Sequence, residues 1–237
     1  MTSPSVPSGT ELHDLSALQQ GAAIRSGEVS AVELAEHYLD RGRRLGDTVG
    51  AYVIMTPELA LDQARAADAR VRGAVDGEAL SELLGVVCPI KDLVFVAGVP
   101  TRAGSAAIDI TPTFDDDVVA NIRAAGLVIT GKTNTPELGL PCYTEPDVAP
   151  PARTPWDLER SAGGSSGGAA AAVASGLAPL AHGNDGGGSI RIPSSTAGLV
   201  GIKPTRGRVS NGPFGDIVGD LPTSGPIART VADCAAL

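Results

Sequence analysis

The sequence predicts an α/β fold in which helices cover both faces of a sheet. Three observations favour this class: a helical first third, short apolar β-branched segments after it, and helix start signals between those segments. Strands that alternate with helices are typical of such layered sheets. With 237 residues, 43% of them hydrophobic but only 3% aromatic, the chain can build a large core from Ala, Val, Leu and Ile.

The first part of the chain, residues 11–80, predicts helices. Ser30 and Glu33 form a capping box at the start of an amphipathic stretch. Thr56 stands before Pro57, a pair that predicts a second helix start. Residues 1–10 lack the basic and apolar regions of a signal peptide, and we expect them to form a disordered leader.

From residue 84 the pattern changes to short apolar runs, which predict strands. The predicted strands are 86–90, 93–96, 127–130, 177–181 and 198–202. Helix signals stand between and after them: acidic residues 115–117 before 118–125, the Thr135-Pro136 pair, the run 169–175 that ends at Gly176, and Thr230 before 231–237. The last helix has no Gly, Asn or Pro to end it, which predicts that the chain is part of a longer protein.

Charge and composition exclude several kinds of partner. A formal net charge of −9 disfavours nucleic acid and anionic membranes. No apolar run approaches the roughly 20 residues that span a bilayer. The three cysteines, Cys88, Cys142 and Cys234, are odd in number and widely spaced, which favours reduced thiols in a cytoplasmic protein. We expect no cofactor and no metal.

Two serines stand among glycines, Ser165 within 161–168 and Ser189 within 183–193. Glycines around a serine allow several main-chain N–H groups to converge on a small volume, as a site that stabilises an oxyanion requires. The pair of clusters therefore indicates an enzyme with a serine nucleophile.

Other chemistries fit less well. Gly163-Gly-Ser-Ser-Gly167 matches the nucleophile elbow of an α/β-hydrolase, but no acidic residue lies between Ser165 and His182, the last histidine. Cys142 has no histidine near it in sequence, and we expect His13 and His37 to be packing residues. A Walker A loop is excluded because no Gly-Lys-Ser/Thr follows the glycines, whereas a phosphate cradle near Ala169 stays open.

A lysine can replace histidine as the base only if its amine is neutral, which requires burial or a neighbouring cation. Lys91 follows the apolar run 86–90, which could carry it into the core. Alternatively, Lys91 lies at a strand end and pairs with Asp92. The local sequence leaves both alternatives open.

Several segments, in order, resemble the amidase signature family. They are Lys91-Asp92-Leu93, Ala97-Gly-Val-Pro-Thr101, Gly131-Lys-Thr-Asn-Thr-Pro-Glu137, Arg153-Thr-Pro-Trp-Asp157, Gly163-Gly-Ser-Ser-Gly-Gly168, Asp185-Gly-Gly-Gly-Ser-Ile-Arg-Ile-Pro193, Gly201-Ile-Lys-Pro-Thr-Arg-Gly207 and Gly225-Pro-Ile-Ala-Arg229. The resemblance implies a three-layer α/β/α fold with a central mixed sheet, a catalytic core over 81–237, and hydrolysis of an amide to an acid plus an amine or ammonia.

The resemblance also assigns roles. Ser189 would attack the amide carbonyl, Lys91 would be the neutral base, and Ser165, joined to Gly164 by a cis peptide bond, would pass the proton between them. The oxyanion hole would consist of the N–H groups of Gly186, Gly187, Gly188 and Ser189. Asp185 and Arg191 would hold the loop, with an ordinary ion pair as the alternative. Ser166 would support the backbone, and His182 would be structural.

This chain departs from the family pattern in three places. The extra glycine in 186–188 resembles the subgroup that acts on small synthetic or cyclic amides. Ile192 replaces a glutamine found in the amidase-like component of glutamyl-tRNA amidotransferase, which disfavours that function. The chain lacks the family's C-terminal half, so we expect a homodimer or a second chain that supplies it. An amide synthetase and a non-catalytic scaffold are the alternative functions.

Overall fold

The centre of the molecule is a mixed sheet in two halves. The computed structural model describes residues 11–75, 78–215, 219 and 221–237, so the predicted leader 1–10 lies outside the described residues. The described helices are α1 (Ala17–Ser26), α2 (Ala31–Leu45), α3 (Pro57–Gly73), α4 (Asp117–Ala124), α5 (Gly167–Ala174), α6 (Arg191–Ala197) and α7 (Val231–Ala236). The described strands are β1 (Tyr52–Met55), β2 (Ile90–Lys91), β3 (Gly131–Thr133), β4 (Arg153–Thr154), β5 (Asp157–Ser161), β6 (Leu180–Asp185), β7 (Val200–Gly201) and β8 (Thr223–Ala228).

One half of the sheet has the order β1-β3-β2, and the other has the order β6-β8-β7. In the first half β2 runs parallel to β3 and β1 runs antiparallel to it, whereas the second half is antiparallel throughout. The halves meet where the His182 N–H donates to the Pro89 carbonyl oxygen at 3.1 Å. This boundary, the seam between β2 and β6, brings together segments that lie about ninety residues apart in the chain.

Helices cover both faces of the sheet. The segment that leads into β2 alternates between the faces, because Val86 and Cys88 pack in one apolar cluster and Val87 in another. The first cluster contains residues of α4 and α7, and the second contains residues of α2 and α3. The predicted three-layer α/β/α architecture with a mixed sheet is therefore confirmed.

Helix α5 is made almost entirely of Gly and Ala and is buried along its length. Small side chains allow it to lie very close to the sheet: a Cβ added to Gly168 would stand 2.3 Å from the Asn134 main-chain nitrogen. This close approach fixes the start of α5, and with it the serine pair Ser165-Ser166 that precedes the helix, against the strands.

Most helix signals in the sequence are confirmed. Ser30 and Glu33 form the capping box of α2, and the Thr230 side chain accepts the Asp233 N–H at the start of α7. Helix α3 begins at Pro57 as predicted, but the Thr56 hydroxyl donates to the Ile129 carbonyl oxygen at 3.0 Å instead of capping the helix.

Three expectations were wrong. Residues 93–96 form turns, because the N–H groups of Phe95 and Ala97 donate to the carboxylates of Asp116 and Asp115 instead of to a neighbouring strand. The Thr135-Pro136 signal yields only the 3₁₀ turn Glu137–Gly139. The strand predicted over 177–181 begins three residues later, at Leu180.

The predicted strand 198–202 contains the shorter β7. The predicted strand 86–90 overlaps β2 only at Ile90, and the predicted strand 127–130 ends just before β3 begins at Gly131. Strand β1 was missed within the predicted helical part. Val87 and Val128 pair in parallel through a single bridge ahead of β2 and β3. Helix α6 contains Pro193 near its start, where a missing N–H is tolerated. Within the described ranges, no helix is long and apolar enough to cross a membrane.

Candidate functional site

Lys91 is the last residue of β2 and is fully buried, with 0% exposure. The apolar segment before it occupies the core, so the strand carries the lysine inward as predicted. Its main-chain N–H points across the seam and donates to the His182 Nδ1 atom at 3.4 Å. The backbone of Lys91 is therefore positioned by the neighbouring strand β6.

The Lys91 amine lies against oxygen atoms that carry no formal charge. Its Nζ atom is 2.8 Å from the Ser165 Oγ atom and 2.6 Å from the Asn184 Oδ1 atom. Burial lowers the pKa of Lys91 well below its ordinary value, and the negative charge of Asp185 opposes this shift without cancelling it. Burial therefore favours the neutral form of the amine over the ammonium form.

The alternative of a Lys91–Asp92 pair is wrong. The Asp92 carboxylate instead contacts a second buried lysine, Lys132, with 2.8 Å between Nζ and Oδ1. Its other oxygen accepts the Arg102 N–H at 3.0 Å, while the Thr101 hydroxyl lies 2.8 Å from the Lys132 amine. Asp92 is therefore the partner of Lys132 and not of Lys91.

The Gly164–Ser165 peptide bond is cis. The segment around it is fixed by two threonines, since the Thr135 hydroxyl donates to the Ser165 carbonyl oxygen at 3.0 Å and the Thr144 hydroxyl donates to the Gly163 carbonyl oxygen at 2.9 Å. A Cβ on Gly164 would stand 2.7 Å from the Tyr143 backbone, so only glycine fits this position. The Ser165 side chain is therefore held towards Lys91.

Ser189 lies in the loop between β6 and α6 and is partly exposed. Its carbonyl oxygen accepts the Ser166 N–H at 3.2 Å. The Ser166 hydroxyl donates to the Asn184 carbonyl oxygen at 3.3 Å. The two glycine-serine clusters of the sequence are therefore neighbours in space.

Asp185 organises the loop that carries Ser189. Its carboxylate accepts the Gly188 N–H at 2.7 Å, the Ile190 N–H at 3.1 Å, and two bonds of 2.9 Å from the Arg191 guanidinium. Burial disfavours the charged carboxylate, but the hydrogen bonds from Arg191 and from three main-chain N–H groups prevail and lower the pKa of Asp185 to about 2. The carboxylate stays ionised and the loop stays closed around it.

The glycines of this loop differ in what their N–H groups contact. The Gly188 N–H is taken by Asp185, and a Cβ there, at a φ of +128°, would approach Ile192 to 2.7 Å. Among the described residues, none accepts the N–H groups of Gly186, Gly187 or Ser189. These three donors are free to bind an oxygen atom from outside the protein.

His182 is structural, as the sequence suggested. It is 2% exposed, and its two ring nitrogens contact the Lys91 N–H and the Ser224 hydroxyl. Burial is the largest cause that lowers the pKa of His182 to about 3. The ring is therefore neutral at physiological pH and accepts the Lys91 N–H through Nδ1.

Asn184 and Lys132 were missed by the sequence reasoning. Asn184 stands two residues after His182 on β6, and this period of two, which places both side chains on one face of the strand, was the available signal. Lys132 lies beside Ile90 in the parallel β2–β3 pair. In the part of the chain that the structure describes, no group of three or more His, Cys, Asp or Glu side chains could hold a metal ion.

Comparison with known proteins agrees with this arrangement. A family model described as Amidase matches residues 33–237. An assigned amidase of Synechocystis sp. is 46% identical over 224 residues, which cover 94% of this chain and 44% of that protein. A glutamyl-tRNA(Gln) amidotransferase subunit from Thermobifida fusca is 47% identical over 229 residues, which cover 96% of this chain and 45% of that protein.

Among solved structures, 6-aminohexanoate cyclic dimer hydrolase complexed with substrate superposes with a TM-score of 0.85 at 38% identity. The match covers 96% of this chain and 46% of that structure. The chain thus spans about half the length of the relatives it matches, and the family model covers most of the chain. The chain is therefore a member of the amidase signature family.

Proposed function

We propose that this chain is the catalytic N-terminal portion of an amidase, which hydrolyses a carboxylic amide to an acid plus an amine or ammonia. The observation that carries the proposal is the 2.8 Å contact between Lys91 Nζ and Ser165 Oγ at a lysine whose pKa burial lowers. A neutral amine beside a hydroxyl can act as a base, and the adjacent Ser189 loop supplies a second hydroxyl to be activated.

In the first half of the reaction, the Ser189 Oγ atom attacks the carbonyl carbon of the amide. The Ser189 proton passes to Ser165 Oγ as the Ser165 proton passes to Lys91 Nζ. When the tetrahedral intermediate collapses, the C–N bond breaks and the leaving nitrogen receives the proton back through Ser165. The product is an acid esterified to Ser189, and a water molecule releases the acid by the same proton route.

The free N–H groups of Gly186, Gly187 and Ser189 would bind the oxyanion of the intermediate. Loss of one such donor raises the barrier of comparable reactions by roughly 3–4 kcal/mol. Gly188 would shape the loop rather than donate, since its N–H is bonded to Asp185 at 2.7 Å. Asp185, Arg191 and Ser166 would hold these donors and Ser189 in place through their hydrogen bonds.

We propose a small linear or cyclic amide as the substrate. The glycine run 186–188 supports this class, and so does the similarity to a hydrolase of a cyclic dimer. We expect no nucleic acid or membrane partner, because the formal net charge is −9. The cysteines Cys88, Cys142 and Cys234 are free, which supports the expectation of a cytoplasmic protein.

We propose that this chain works together with a partner. Relatives that this chain matches are about twice as long. One of them is named as a subunit of a larger enzyme, which supports a partner chain. A homodimer is the other arrangement we propose. Light scattering on the purified chain distinguishes both from a monodisperse monomer, which would contradict them.

A second candidate function is transfer of the acyl group to an amine. The 47% identity to an amidotransferase component favours it. Both functions share the Ser189 ester and differ in what resolves it. Product analysis with an amide substrate and increasing hydroxylamine separates them: an acid-only product at every hydroxylamine concentration excludes transfer.

Intact mass spectrometry after exposure to a fluorophosphonate tests the proposal. We expect one adduct on the wild-type chain and none on Ser189→Ala or Lys91→Ala. Ser26→Ala is the matched control, since Ser26 is exposed at the end of α1 outside the site, and it should label like the wild type. A folded wild-type chain without an adduct would contradict catalysis by this chain alone and favour the non-catalytic scaffold.

A further inference from the structure

The Lys91 amine has a third neighbour besides Ser165 and the Asn184 side chain. Its Nζ atom also lies 3.5 Å from the Asn184 main-chain carbonyl oxygen. One residue therefore contributes two of the three oxygen atoms around the amine, and the third belongs to Ser165 at 2.8 Å. The positions of these three oxygen atoms determine which way the lone pair of the Lys91 amine points.

The three neighbours match the bonding capacity of a neutral amine, which has two N–H donors and one lone pair. Both oxygens of Asn184 are carbonyl oxygens, which accept hydrogen bonds and have no proton to donate. Ser165 carries a hydroxyl, which can donate. The lone pair of a neutral Lys91 therefore has one partner available to it, the Ser165 O–H, while the two N–H groups donate to Asn184.

We propose that Asn184 is a positioning residue, whose side-chain and main-chain oxygens orient the neutral Lys91 amine so that its lone pair faces Ser165. The role rests on the proposed function, because an oriented lone pair matters only if Ser165 delivers a proton to it. Without the Asn184 side chain, the amine could rotate and donate to Ser165, which would prevent that transfer.

An amide suits this position because it accepts a hydrogen bond without adding a charge. A carboxylate 2.6 Å from the amine would stabilise the ammonium form, and Lys91 would lose its lone pair at neutral pH. The other groups around the amine leave it uncharged. His182 on β6 is neutral, Asp185 is neutralised by Arg191, and Asp92 is paired with Lys132 of β3.

The protonation of the Lys91 amine can be followed directly, because the sequence contains only three lysines, Lys91, Lys132 and Lys203. Carbon-13 NMR of the lysine Cε atoms follows each titration without any substrate. Asn184→Asp should raise the midpoint of Lys91 by at least about one pH unit, as a carboxylate at hydrogen-bond distance does. Lys132 and Lys203 serve as internal references whose midpoints should stay in place.

Asn121→Asp is the matched control, because it adds the same charge at an exposed position on α4. The proposal is overturned if the titration midpoint of Lys91 shifts no further in Asn184→Asp than it does in Asn121→Asp. This NMR measurement decides the matter whether or not the chain is catalytically active, so failure of the proposed function is distinguishable from failure of this inference.

A second variant separates orientation from charge. Asn184→Ala removes the side-chain acceptor and should slow fluorophosphonate labelling of Ser189 by about 10- to 100-fold, measured at a pH where Lys91 is neutral, because a buried N–H loses its partner and the amine can rotate. The Lys91 midpoint should not rise. Labelling within twofold of the wild type at that pH would also overturn the proposal.

Discussion

Two lysines, Lys91 at the end of β2 and Lys132 in the middle of β3, are equally buried at 0% exposure. Lys132 contacts a carboxylate, whereas Lys91 contacts a hydroxyl and an amide. Burial lowers the pKa of both, but for Lys132 the charge and hydrogen bond of Asp92 oppose the shift directly. Burial alone does not decide which form of a lysine is favoured: the carboxylate beside Lys132 favours a structural cation, whereas the uncharged neighbours of Lys91 favour the neutral base of the proposed function.

The largest expected effect comes from breaking the structural pair. Lys132→Met leaves Asp92 buried without a counter-charge and should lower the free energy of unfolding by about 3–5 kcal/mol. Lys91→Met should change it by only about 1 kcal/mol, since removal of a disfavoured buried amine offsets the lost hydrogen bonds of Ser165 and Asn184. Urea unfolding at pH 7 measures both.

Replacing both members of the pair sharpens this test. Lys132→Met combined with Asp92→Leu should recover most of the lost stability, because no unpaired charge remains in the core. If the two lysine variants lose the same stability, the distinction between a structural cation and a neutral base is wrong.

Acid should destabilise the fold through His182, which contacts the Lys91 backbone. Its pKa is about 3 in the folded chain and near 6.5 in the unfolded chain, so below pH 6.5 the unfolded state binds more protons and stability falls with decreasing pH. The loss should reach about 3 kcal/mol between pH 6.5 and pH 4. Urea unfolding across this range measures it, and His182→Gln should flatten the slope.

Lys91, the proposed neutral base, should make the free energy of unfolding depend on pH in the alkaline range. The folded-state pKa of Lys91 lies well below 10.5, so between these values the unfolded state binds one more proton and stability rises with pH. The difference between wild type and Lys91→Met should grow by up to about 1.4 kcal/mol per pH unit in this window. In this difference the contributions of the buried Tyr and Cys side chains cancel, because these side chains titrate identically in both proteins.

The smallest expected effect is a shift in the titration midpoint of Lys91 when Arg191, the partner of Asp185, is replaced. The Arg191 guanidinium neutralises Asp185, so Arg191→Met should expose Lys91 to more of that carboxylate's field and raise its midpoint slightly. Lysine Cε NMR measures the change against Lys203. A midpoint that falls would contradict the electrostatic account of Lys91.

The sequence predicted the layered fold and, through the family resemblance, a set of site residues of which Lys91 and Ser165 lie in contact. The period of two along β6 places Asn184 on the same face as His182, but its contact with Lys91 joins strands about ninety residues apart and depends on how the two sheet halves meet. The false strand at 93–96 has a similar origin. Its apolar pattern was real, but Asp115 and Asp116 accept the N–H groups that a neighbouring strand would have bonded.

The seam between β2 and β6 has a consequence for how the molecule opens. The backbone of Lys91 is bonded to His182 and its amine to Asn184, so β6 aligns both in addition to the pairing of β2 with β3. A fluctuation that parts the two halves of the sheet would withdraw the base from Ser165 before either half unravels. Deuterium uptake at the amides of Lys91 and His182 would record this event, separately from exchange in the helices around them.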